Sequence, residues 1–238
     1  MYRQYNPNPL EVLSRIVSAL DRPARAGLSD AATVCCLERL LNASAAAARG
    51  GLGELVSPGA PGPRAPAIGL AAGIKDDADR RISQRGVSSR YGDIALQALG
   101  SSILELAGQI GEGGGLQVAP DRLQTHLAGF YAQSRLHSLT STFLVHDFEH
   151  AFRYFVARDI PQFVGTEALP TVAESVQLQD RIAGTCRLVT GGVDLGDSEG
   201  ETRGALEQPD PEQRIRLLHG VLRDAVGRGL SALASAGG

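Results

Sequence analysis

The chain has no tryptophan, one methionine, one lysine and three cysteines among 238 residues. Each scarcity excludes something. Cys35 and Cys36 are neighbours and would point about 100° apart on a helix, so they do not pair with each other. Cys186 stands alone, and the three spacings match neither a disulfide framework nor a zinc ribbon. They read as reduced thiols filling a core. No apolar run approaches the roughly 20 residues needed to cross a bilayer. The first residues, Met1-Tyr2-Arg3-Gln4-Tyr5, lack the apolar core of a signal peptide, so export is not expected and a cytoplasmic setting is. Net charge is −3, which removes any global attraction to nucleic acid or to an anionic membrane. Lys75 is the single lysine; arginine supplies the other basic residues, the usage of a GC-rich, bacterial genome.

What is present is helical. Hydrophobic residues make up 43% of the chain, enough for a real core in one large domain or two small ones. Asn8-Pro9-Leu10-Glu11 combines an N-cap, a proline at the first helical position and a glutamate three residues after the cap. Val12, Leu13, Ile16, Val17 and Leu20 form the apolar face of that helix, and Pro23 stops it. A second helix starts near Ser29 and runs to Gly50-Gly51. Residues 51–74 read as a linker, because Ser57-Pro58-Gly59-Ala60-Pro61-Gly62-Pro63 holds neither helix nor central strand. The expected organisation is a docking helical pair over 1–50, that linker, and a main bundle over 75–238.

Within 75–238, Leu96, Leu99, Ile103, Leu106 and Ile110 recur at alternating spacings of three and four, a seam for a neighbouring helix or a protein partner. Gly111 to Gly115 ends that helix. The segment 120–163 reads as one long helix or as two broken near Ser138-Leu139-Thr140-Ser141. Another helix starts near Pro170, a Gly-rich acidic stretch over 190–209 reads as a mobile surface loop, and Asp210-Pro211-Glu212-Gln213 opens the last helix. The fold class is all-α, a bundle of about six to eight helices with a Pro/Gly-rich linker after the first pair.

Chemistry has few candidates. All six phenylalanines lie between Phe130 and Phe163, and Phe148, Phe152 and Phe155 form one helical stripe, which marks that helix as central. The same segment contains His146-Asp147-Phe148-Glu149-His150. At 100° per residue, His146 and His150 fall on a polar face with Arg153, whereas His126 and His137 share a face with Leu123, Leu127 and Phe130. Two histidines four apart can bind one metal ion from one helix, given a further ligand. The consecutive His146-Asp147 resembles the dyad of the HD metal-dependent phosphohydrolases, an all-α family. That resemblance covers two residues. It implies one or two divalent metal ions, with an earlier histidine and a later aspartate completing the site; His126 and Asp180 stand at the positions available. Arg80, Arg81, Arg85 and Arg90 form a locally basic run that would suit phosphate or nucleic acid.

Two functions follow from this pattern. The first is a non-catalytic helical interaction protein, an adaptor, regulator or small subunit of an assembly. It would need no cofactor, would bind a protein partner or a second copy, and would use the 96–110 seam. The alternative is an HD-like phosphohydrolase in which His146, Asp147 and His150 hold a divalent ion that activates water.

Overall fold

The computed structural model describes residues 8–52, 66–110, 118–159, 164 and 171–237. Among these residues the chain forms ten α-helices: α1 Pro9–Ala19, α2 Arg22–Gly27, α3 Ala31–Ala48, α4 Pro66–Gln84, α5 Arg90–Gly108, α6 Pro120–Ala132, α7 Leu136–Asp159, α8 Val172–Gly191, α9 Glu199–Leu206 and α10 Pro211–Ser235. The all-α bundle is as expected. The two helices beyond the expected number are the short α2 and α9. No helix among the described residues is long and apolar enough to cross a membrane.

Local chemistry sets most of the boundaries. The Asn8 side chain accepts from the Leu10 N–H and Pro9 opens α1; Asp210 and Pro211 do the same for α10. Asp21 accepts from the Ala24 N–H, so Pro23 both blocks α1 and lies in the first turn of α2. Asp30 caps α3 through the Thr33 N–H, and Thr171 with Glu174 forms a reciprocal capping box on α8.

Two helices organise the interior. α3 packs against α4, α5, α6, α7, α9 and α10. Fourteen of its 18 residues are buried, among them Glu38 and Arg39. Its many alanines and its two cysteines let neighbouring helices approach closely on all sides. Buried Arg39 is held by Asp77 at 2.6 Å and Glu38 faces Arg214 at 3.5 Å, so both charges on this central helix are compensated. α7 packs against α3, α5, α6, α8, α9 and α10. Phe143, Phe148 and Phe152 on α7 are fully buried, as the aromatic stripe implied. Leu13 and Val17 of α1 join the same hydrophobic cluster as these residues.

Several sequence expectations change. α4 begins at Pro66, inside the stretch read as a linker, and buries Ala67, Leu70, Ala71 and Ile74. Ser57 to Pro63, Gly111 to Gly115, Phe163 and Pro170 lie outside the described residues. The break in 120–163 falls at residues 133–135, where Ser134 takes a left-handed φ of 55°, and not at Ser138 to Ser141. The acidic stretch over 190–209 is no loose loop. It contains a 3-10 turn at Gly196–Ser198 and then α9. The 96–110 seam is intramolecular core: Leu96, Leu99, Ile103 and Leu106 are buried, and Ile110 packs against the same cluster. The seam therefore offers no outer surface to a partner. Helix α1 is likewise docked, on α8 and α10.

Candidate functional site

The histidine run sits where α7 meets α5 and α8. Because α7 is covered on several sides, little of it at the level of His146 and Asp147 reaches solvent. His146 is 5% exposed and Asp147 2%, while His150 is half-buried, which corrects the expected polar-face placement of the two histidines. The two imidazoles stack with centroids 6.5 Å apart.

Polar groups from three helices surround them. His146 Nε2 lies 2.9 Å from a Glu105 carboxylate oxygen on α5, and His150 Nε2 lies 3.0 Å from Ser101 Oγ. Ser101 and Glu105 are one turn apart on α5; His150 and His146 are one turn apart on α7. The antiparallel pairing 101–150 and 105–146 is thus a ladder with matched rungs. Arg187 of α8 pairs with Glu105 and reaches Glu149 at 3.5 Å. Glu149 also lies 3.6 Å from His146 Nδ1 and 3.7 Å from Arg153, which in turn meets Asp180 at 3.4 Å.

The electrostatics follow from burial and charge. Burial pulls His146 below the ordinary imidazole range, with the Glu105 and Glu149 carboxylates opposing; burial likewise lowers His150. A neutral His146 donates one N–H, and the 2.9 Å partner Glu105 is the acceptor that fits. Asp147 points away from this group. Its carboxyl is pushed well up by burial, and the nearby Asp30 charge pushes in the same direction. Asp30 itself accepts from the Thr33 N–H, the Thr33 hydroxyl and the Ser89 hydroxyl.

The metal set does not converge. No group of three His, Cys, Asp or Glu among the described residues could hold a metal ion. Asp147 serves the α3 side of α7 and the two histidines the α5 side. His126, on α6, rests edge-on against Phe130, and its Nε2 is buried without a hydrogen-bond partner among the described residues. Asp180 is exposed and engaged by Arg153. The five residues that the HD resemblance would require are therefore dispersed.

An open depression of about 640 Å³ borders the cluster, lined in part by Ser101, Glu105, His146 and Arg187. The Ser101 hydroxyl beside His150 has the outline of a nucleophile and its base. Acyl transfer also needs an orienting acid and oxyanion donors. No carboxylate hydrogen bond to His150 occurs among the described residues. Ser101 lies inside α5, where the backbone N–H groups are spent on helical hydrogen bonds.

The basic run is also engaged internally. Arg80 and Arg81 both reach Asp77, at 3.3 and 3.1 Å, beside Arg39. Arg85 reaches Cys35 Sγ at 3.5 Å and Arg90 the Tyr154 hydroxyl at 3.3 Å. These four side chains face protein groups and form no shared phosphate cradle.

Glu105, Arg187 and Ser101 were not apparent from sequence, because each comes from a helix other than α7. The one available signal was the recurrence of a polar pair four residues apart, Ser101/Glu105, against His146/His150. The chain matches no known protein family, no characterised protein and no solved structure.

Proposed function

We propose that this chain is a non-catalytic helical binding protein of the cytoplasm, an adaptor, regulator or small subunit, and that its histidine cluster is a structural clasp between α5, α7 and α8. The observation that carries this reading is pairing. Glu105 is held by His146 and Arg187, Glu149 by Arg187 and Arg153, and His150 by Ser101. A metal-activated water needs ligands with open positions converging on one point. Here the donors and acceptors satisfy one another. Three unpaired, buried thiols support a reducing compartment.

Since the 96–110 seam and α1 are covered, the binding surface lies elsewhere. Elemental analysis of the purified full chain, together with its mass in solution, tests the reading. No stoichiometric divalent metal is expected. A bound equivalent of zinc, manganese or iron, lost on His146→Ala, would overturn it in favour of the phosphohydrolase alternative.

A further inference from the structure

A cleft of about 600 Å³ between α1–α2 and α10 shares no lining residue with the depression beside the histidine cluster. That volume is in the range of small-molecule sites. Its floor is apolar, with Val17, Val226 and Leu230 buried beneath it. Three guanidinium groups line it, Arg22 and Arg25 from the α2 side and Arg223 from α10, with the His219 imidazole beside them. Among the described residues no Asp or Glu lines it.

The nearest acids are committed elsewhere. Asp21 caps α2 through the Ala24 N–H, and Asp224 is bound to Arg228 at 2.9 Å. Arg25 is fixed by the carbonyls of Val17 in α1 and of Leu20 just after it, at 2.9 and 3.0 Å. Arg22 and Arg223 form no ion pair among the described residues. Two further features suit a ligand. Ser29 lines the cleft, is only 5% exposed, and its hydroxyl makes no hydrogen bond among the described residues. Gly227 leaves the middle of the α10 wall open, since a Cβ built there meets nothing within 4 Å.

We infer that this cleft binds a phosphate monoester carried on a short apolar body. Free guanidinium groups from two separate helices match a dianion, because each planar fork can give a bidentate pair of charge-assisted hydrogen bonds. The unpartnered Ser29 hydroxyl supplies a neutral donor, and the apolar floor accepts the rest of the molecule. The assignment is independent of the α5–α7–α8 cluster.

Titration calorimetry on the full chain tests it, with hexyl phosphate as the probe and inorganic phosphate and hexanol as its two halves. Hexyl phosphate should bind about tenfold or more tighter than either half. The double variant Arg22→Gln/Arg223→Gln changes only exposed side chains and should weaken that binding by about tenfold or more. A Cβ at Gly227 meets nothing within 4 Å, so Gly227→Leu should fold, with an unchanged urea midpoint as the check. It should remove the advantage of hexyl phosphate over inorganic phosphate. Equal affinities for hexyl phosphate and inorganic phosphate, or unchanged binding in both variants, would overturn the assignment. So would binding to vesicles of anionic phospholipid with none to hexyl phosphate, which would indicate a membrane surface. Failure here leaves the metal analysis of the histidine cluster unaffected.

Discussion

At the scale of single residues, Asp147 is the most telling side chain. It is a carboxyl inside the core, raised by burial and by Asp30. An acid whose folded pKa lies above its unfolded value of about 3.9 contributes stability that is fully present below that value. The contribution is lost as pH rises toward the folded pKa, at about 1.4 kcal/mol per pH unit. Asp147→Asn should therefore be more stable than the parent at pH 8, by about 1 kcal/mol or more, with the gap closing toward pH 4. Urea midpoints across that range measure it; a gap independent of pH would show that Asp147 ionises normally. Burial lowers His146 and His150, so they act in the opposite sense: their stability is present above about pH 6.5 and lost as pH falls through their folded values. They remain in both proteins of the comparison and so do not account for the gap. A second residue-scale outcome concerns close packing. A Cβ at Gly229 on α10 would meet the Phe148 ring at 2.5 Å. Gly229→Ala should cost about 1–3 kcal/mol despite its better helix propensity, and Phe148→Leu in the same chain should recover part of the loss.

At the scale of elements, legibility depended on where the information resides. α1, α8 and α10 were readable because cap residues, prolines and apolar periodicity are local. α2 and α9 were not, since six and eight residues are too few for periodicity to declare itself. α9 is held by tertiary bonds instead. Glu199 accepts from the His137 N–H at 2.8 Å, and Arg203 donates to the Tyr131 carbonyl at 2.6 Å while lying over the Tyr131 ring. Arg228 pairs with Asp197 in the turn just before it. Arg203→Ala should release this segment, costing about 1 kcal/mol per lost hydrogen bond. Limited proteolysis should then cut first within 192–210 in the variant and not in the parent; equal resistance would mean that α9 is secured without Arg203. The break at Ser134 was missed for a related reason. A serine in the left-handed region has no sequence signal as strong as glycine.

At the scale of the whole molecule, the all-α class, the central position of the aromatic helix and the buried cysteines were legible from pattern and composition. The site was not. Sorting residues by 100° steps supposes one wet side, and α7 has neighbours on nearly every side. The partners that define the environment of His146, namely Glu105 and Arg187, are 41 and 41 residues away on other helices, 146 − 105 and 187 − 146. Only folding reveals that the histidine run is split, with Asp147 turned to the α3 side and the imidazoles to the α5 side. The result is a cluster that joins three helices through mutual pairing. Turnover of a phosphodiester by the full chain with manganese, magnesium or zinc, beside the His146→Gln variant, tests this most directly. A structural role for His146 predicts no hydrolysis above the metal-only blank in either protein, with the variant less stable by about 1–3 kcal/mol. Metal-dependent turnover in the parent that His146→Gln abolishes would contradict it.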